Sequence, residues 1–320
     1  MKIVIPGGSG QVGRVLARYF HAKGDEVTVL SRTNRREPWL VVPWDGHTLD
    51  RWTTVIDGAD VVINLAGRSV NCRYTAANRS SILLSRVEST KAIGRAIAQA
   101  SQPPRIWLQA STATIYAHRY DAPNDERTGV LGGTEEGVPH AWRFSIDVAT
   151  AWERTLNEAE TPNTRKVLLR LAMAMIPDRG GTFDTLLRLV RFGLGGKVGD
   201  GRQYVSWIHD LDFIHAIQWL IGHEEFTGPV NLSAPHPLPF SEFQKELRGA
   251  WGIAFGLPAT AWMVEIGTML LRTESELVLK SRRVVPARLL QSGFQFEFPT
   301  WPEAARDLCR RWREGHQKAA

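Results

Sequence analysis

The chain has 320 residues, 43% of them hydrophobic, and carries 39 Lys and Arg against 33 Asp and Glu, a formal net charge of +6. That length accommodates one large or two modest domains with a substantial core. No apolar run approaches the roughly 20 residues that cross a bilayer, and the opening MKIVIPGG lacks a signal peptide's apolar region and cleavage site. A cytoplasmic protein with no membrane partner is the expectation.

Only two cysteines, Cys72 and Cys309, are present, with no CxxC or His cluster, so neither a disulfide framework nor a metal is expected. The positive charge is mostly arginine, clustered at RTNRR (32–36) and RRWR (310–313). Phosphate neutralisation by nucleic-acid binders needs such patches. No helix-turn-helix, zinc-finger or RNA-binding signature accompanies them, so they read as solvated helix faces plus one phosphate-binding corner. The expected partner is a small molecule, with no nucleic acid.

In chain order, KIVIP is a short apolar strand, followed by QVGRVLARYFHAKG, where Val12, Leu16 and Phe20 recur at helical spacing. EVTVL and LVVPW are further strands, then a helix-like stretch runs to Asp57, and DVVINLAG is apolar on both faces. A long helix over 78–100 ends at a Pro-Pro pair; RIWLQAS is a strand, 142–160 a helix, and KVLLRLAMAMI one further strand. Strands buried on both faces and alternating with helices call for a doubly wound parallel sheet of Rossmann type. After Ile176 the rhythm changes to a loop, a helix over 183–194, a glycine-rich stretch, a short strand, a helix over 210–222 and the strand PVNLSA. The expected division is a dinucleotide-binding domain over 1–176, with 203–234 returning to it. Segments 177–202 and 235–320 form a smaller, mostly helical lobe for substrate.

GGSGQVG (7–13) joins the first strand to the first helix, with Gly7, Gly10 and Gly13 in GxxGxxG spacing. Small residues let the backbone approach a pyrophosphate, and the helix N-terminus offers N–H groups and a favourable dipole. In this strand–turn–helix context the motif predicts dinucleotide binding. An acidic residue at the end of the second strand would hold the ribose hydroxyls of NAD. Ser31 and Arg32 stand there instead, with Arg35 and Arg36 close behind. A hydroxyl and a guanidinium suit a 2′-phosphate, which predicts NADP(H) in preference to NAD(H).

The glycine motif, NLAG (64–67) and STATIY (111–116) together resemble the extended short-chain dehydrogenase/reductase superfamily. SRVEST (85–90), Trp152-Glu153, GLGG (193–196), GDGRQYVSWIHDLD (199–212) and RRVVPARLLQSGFQF (282–296) resemble its atypical epimerase-family branch, which includes the bacterial YfcH-like proteins. The resemblance spans nearly the whole chain. It implies that Gly7, Gly10 and Gly13, with Ser9, Gln11 and Val12 in the same turn, hold the pyrophosphate. Leu65, Ala66 and Gly67 would pack beside the adenosine half, Asp45 would contact adenine, and substrate would bind between the two lobes. It also suggests a homodimer through the helices at 78–100 and 142–160.

In that superfamily a Ser or Thr, a Tyr and a Lys move the proton while hydride passes to or from the nicotinamide. The resemblance maps the hydroxyl to Thr112 and the Tyr-x-x-x-Lys pair to Phe144 and Val148, neither of which can move a proton. Tyr116, four residues after Thr112, is a candidate replacement whose phenol could reach the nicotinamide face, with packing at the strand end as the favoured alternative. His209 and Asp212 face the cleft or cap the next helix, and His118 and Glu135 sit on a loop between strand and helix. Arg202 and Gln203 fit an anionic or hydroxyl-rich ligand, with Arg73 joining them and His209 beside them. The expected activity is an oxidoreductase or sugar-nucleotide-epimerase-like reaction on a small polar metabolite. The alternative is a non-catalytic NADP(H) sensor or scaffold.

Overall fold

The computed structural model describes residues 1–33, 35–260 and 274–317. Seven parallel strands form the central sheet in spatial order β10-β6-β5-β4-β1-β2-β3, where β1 is Lys2–Pro6, β2 Glu26–Ser31, β3 Leu40–Pro43, β4 Val61–Asn64, β5 Ile106–Thr112, β6 Arg165–Leu171 and β10 Gly228–Leu232. The order reverses at β1, between β2 and β4, which opens the crevice where doubly wound sheets bind ligands.

The strand sequences dictate the layers. Alternate residues of a strand point to opposite faces. Ile3, Ile5, Val61, Ile63, Ile106, Leu108, Val167 and Leu169 therefore share one core with α1 (Gln11–Ala22) and α5 (Asp210–Gly222). Val4, Val62, Trp107 and Leu168 face the other way, against α2 (Ala76–Gln99) and α3 (Arg143–Asn157). The stretch after β3 is only a 3-10 turn, Arg51–Val55, started by Asp50, whose carboxylate accepts the Arg51 N–H at 2.7 Å.

KVLLRLAMAMI, expected as one strand, is two. The chain leaves the main sheet at Ala172, whose N–H still reaches the Leu232 carbonyl at 3.0 Å. It then forms β7 (Met173–Met175), which pairs in parallel with β9 (Trp207–His209). The change of partner turns Met175 into a separate core built from α4 (Thr182–Arg191), α6 (Phe240–Trp251) and the C-terminal helix Trp301–Gln317. Phe243 stacks on Trp301 at 4.0 Å in that core. A short pair, β8 (Tyr204–Val205) and β11 (Leu238–Pro239), closes the smaller lobe. Leu289 and Phe294 return to the main sheet's core, so the C-terminal segment also braces the larger layer. Among the described residues no helix is long and apolar enough to cross a membrane.

Candidate functional site

The glycine turn leaves β1 and wraps the start of α1. Gly7 has φ +75°, a left-handed backbone, and a Cβ there would stand 2.6 Å from the Ala66 backbone. A Cβ on Gly13 would stand 2.5 Å from the Gly8 Cα. Both glycines are thus required by the protein's own packing. Gly10 differs: a Cβ there would meet only the Gly7 carbonyl, at 3.6 Å. Gly10 also caps α1 without a side-chain hydrogen bond, leaving the first N–H groups of the helix open toward the crevice. A turn whose middle glycine has room to spare, beside uncapped N–H donors, fits a bound pyrophosphate.

Beside the turn is a cavity of about 550 Å³, lined by Gly7, Ser9, Gly10, Ser31, Arg32, Asp45, Leu65, Ala66 and Gly67 among the residues expected from sequence. Gln11, Val12 and Gly13 are not in its wall. Gln11 Nε2 donates to the Asp178 carbonyl at 3.2 Å, Val12 packs into the core, and Gly13 lies under Gly8. At the rim, Ser31 is buried while Arg32 is exposed and makes no ion pair among the described residues. Arg35 and Arg36 are exposed and stand outside the wall. Burial pushes the Asp45 carboxyl upward, but the His47 and Thr48 N–H groups, each at 2.9 Å, hold it below its usual value.

Sequence reasoning missed the far wall: Trp44, His47, Arg68, and Leu84, Ser85 and Glu88 from α2. It also missed what shapes NLAG. Asn64, fully buried, accepts the Ala66 N–H at 3.0 Å and donates to Gln109 Oε1 at 2.9 Å. The apolar surroundings of a lone Asn at a strand end were the available signal. Behind Gly67 lies Arg86, whose guanidinium donates to the Arg68 and Ile82 carbonyls and sits 4.9 Å over the Trp152 ring. Burial pushes its pKa down to about 10.

Thr112 ends β5 with its hydroxyl accepting the Thr114 N–H at 3.1 Å. Phe144, in the first turn of α3, packs edge-on to Tyr74 at 5.0 Å, with the Arg79 guanidinium 4.8 Å from its ring centre. Val148 is 6% exposed. The Tyr116 phenol is engaged on both its donor and its acceptor side. The residue is 2% exposed, its phenol donates to Asn231 Oδ1 and accepts from Arg170 Nη1, both at 2.9 Å, and burial pushes its pKa up. Arg170 in turn forms a two-pronged pair with Glu153 at 2.9 and 2.8 Å, and Glu153 also accepts the Ser111 hydroxyl at 2.6 Å. This network fastens α3 to β5 and β6.

The expected substrate residues do not converge. His209 is fully buried: its Nδ1 accepts the Leu211 N–H at the start of α5, and Nε2 lies 3.1 Å from Asp307. Burial, opposed by Asp210 and Asp307, pushes its pKa down to about 4, so it is neutral and caps a helix instead of meeting a ligand. Asp212 accepts the Glu297 and Phe298 N–H groups at 2.7 and 3.1 Å, a structural role. Gln203 is buried, donating to the Val198 and Val278 carbonyls. Arg202 is exposed, 5.8 Å from the Tyr120 ring, whereas Arg73 turns to Glu274 at 3.7 Å. His118 and Glu135 do meet, the carboxylate accepting the His118 N–H at 2.8 Å.

Comparison with known proteins agrees with this architecture. Residues 3–232 match the NAD dependent epimerase/dehydratase family, and residues 259–308 match a domain of unknown function, DUF1731. An epimerase family protein of Staphylococcus aureus (strain N315) is 30% identical over 309 residues, covering 96% of this chain and 98% of that one. A relative in Staphylococcus haemolyticus (strain JCSC1435) is 30% identical over 312 residues, covering 96% of this chain and 98% of its own. The human epimerase family protein SDR39U1 (isoform 2), solved with NADPH, superimposes with a TM-score of 0.84 at 26% identity, over 97% of this chain and 99% of that one. By sequence and by fold, the chain belongs to the NAD-dependent epimerase/dehydratase family.

Proposed function

We propose that the protein is an NADP(H)-dependent oxidoreductase or epimerase-like enzyme acting on a small polar metabolite. The observation that carries the cofactor choice is the rim of the cavity, where Ser31 and Arg32, which makes no ion pair among the described residues, occupy the place an acidic residue would take for NAD. The NADPH in the human relative supports the same choice. Bound there, the nicotinamide supplies a hydride donor or acceptor. The chain's own residues hold and orient: the glycine turn and the α1 N-terminus take the pyrophosphate, Arg32 the 2′-phosphate, and Thr112 a substrate oxygen at the exit of β5.

Positioning a carbon against the nicotinamide contributes several powers of ten in rate, and a general acid about two to four. Hydrocarbon at positions 144 and 148 is therefore compatible with turnover. The test is NADPH consumption across a panel of polar carbonyl compounds. Thr112→Val is expected to lower kcat/KM about 100-fold while leaving NADPH affinity unchanged. Full activity in that variant would remove Thr112 from the chemistry.

A second reading, a cofactor sensor or scaffold without catalysis, is favoured by Phe144, Val148 and the fully engaged Tyr116 phenol. It predicts an NADPH-dependent change in association with no turnover on any member of the panel.

A further inference from the structure

Two ionisable side chains of the segment following residue 274 are buried side by side at the exit of β5. Lys280 is 1% exposed and Glu276 2%. Lys280 Nζ donates to the Thr114 carbonyl at 2.9 Å, and Glu276 Oε2 accepts the Ser145 hydroxyl at 2.6 Å. Thr114 lies two residues beyond Thr112, and Ser145 directly follows Phe144. The Lys–Glu pair is therefore clamped between the β5 exit and the first turn of α3, the two elements to which the family's hydroxyl and Tyr map. In doubly wound sheets the ligand lies outside those strand ends.

The pair is also incomplete. Among the described residues Glu276 Oε1 has no hydrogen-bond partner, and it stands 3.9 Å from Lys280 Nζ, too far for a direct hydrogen bond. An ammonium has three donors, and Lys280 uses one of them on Thr114. Buried polar atoms rarely go unpaired without a functional or solvent partner. An oxygen set between the two would accept from Lys280 and, as a hydroxyl, donate to Glu276. Burial and the Arg282 charge push the Lys280 ammonium down to about 8, opposed by Glu276 and by Glu135 of the loop before α3. His118, on the loop after β5, feels the Lys280 charge in turn. A lysine in that range exchanges protons near neutral pH.

The geometry points to Lys280, with Glu276 beside it, as the proton-transfer pair of this site, acting on a hydroxyl- or carbonyl-bearing substrate in place of the groups absent at Phe144 and Val148. This rests on the NADP(H) oxidoreductase reading. In the reducing direction a C–H bond forms at the carbonyl carbon from the hydride of the reduced nicotinamide. One N–H bond of the Lys280 ammonium breaks, and its proton forms the new O–H bond. The carbonyl becomes an alcohol, the nicotinamide is oxidised, and neutral Lys280, buried while the site is occupied, regains a proton from the water that replaces the departing product.

The test compares calorimetric affinities for NADP⁺ and NADPH from about pH 6.5 to about 9.5, a window spanning the shifted lysine. Only the oxidised ring is positively charged, so an ammonium beside it weakens NADP⁺ binding alone; taking the ratio cancels titration of the shared phosphates. The ratio is expected to move about tenfold in favour of NADP⁺ as pH rises through the Lys280 range. In Lys280→Gln it stays at the high-pH value. In Lys280→Arg, which keeps charge and a donor for Thr114, it stays at the low-pH value, so a folding failure of the first variant does not silence the test. A flat ratio in the wild type, or the same slope in both variants, overturns the assignment and leaves the NADP(H) reading standing. Failure of both nucleotides to bind overturns the two together.

Discussion

Glu153→Ala is expected to lower folding stability by about 3–5 kcal/mol, the cost of leaving a buried charge without its partner. The carboxylate holds Arg170 by two hydrogen bonds and Ser111 by a third, and its side chain is only 10% exposed. Removing it strips the Arg170 guanidinium, whose side chain is only 9% exposed, of its counter-charge and of two hydrogen-bond acceptors. In the wild type the Glu153 charge holds the Arg170 pKa above its ordinary value against the opposing effect of burial; in the variant that support is gone, yet a guanidinium keeps its proton at any ordinary pH, so the charge stays buried without its partner. The double variant Glu153→Leu, Arg170→Met is expected to recover most of the loss, because an apolar pair of similar volume replaces a desolvated ion pair at little net cost. Urea denaturation of the three proteins measures both numbers. A single variant within about 0.5 kcal/mol of wild type would show that the network carries no such strain.

Gly10→Ala is expected to leave the melting temperature within about 2 °C of wild type, because the new methyl meets only one atom, at 3.6 Å. NADPH affinity should nevertheless fall at least about tenfold, since the methyl occupies the space a pyrophosphate needs against the backbone. Gly13→Ala is the contrasting case. Its methyl collides with the Gly8 backbone at 2.5 Å, so stability should drop by about 1–3 kcal/mol whether or not cofactor is present. The pair separates a glycine kept for the ligand from one kept for the fold. Equal affinity of wild type and Gly10→Ala would remove the pyrophosphate from this turn. Melting curves and calorimetric titrations of the same two proteins supply the measurement.

The parallel sheet was legible because most of its strands are short and apolar on both faces, and helices of clear spacing follow β1, β4 and β5. The turn was legible because GxxGxxG sits between a strand and a helix. Long-range partners were not. Nothing local marks Ala172 as the point where one apolar run changes sheets, because periodicity is the same in either sheet. His209 in WIHDLD read equally as a ligand group or a cap, and only its burial against Asp307 and Phe298 decides for the cap. Tyr116 stood between a catalytic phenol and a packed strand end because its partners, Arg170 and Asn231, are 54 and 115 residues away. For the same reason Lys280 went unnoticed: Thr114, which it touches, is 166 residues earlier in the chain.

The measurement that bears most directly on the central claim is a calorimetric titration of the purified protein with NADPH and, separately, with NADH. The account predicts tight NADPH binding, weaker NADH binding, and a loss of about tenfold or more in NADPH affinity for Arg32→Ala, with NADH affinity unchanged. Failure of both nucleotides to bind, or an Arg32→Ala variant that still prefers NADPH to the same degree, would contradict it.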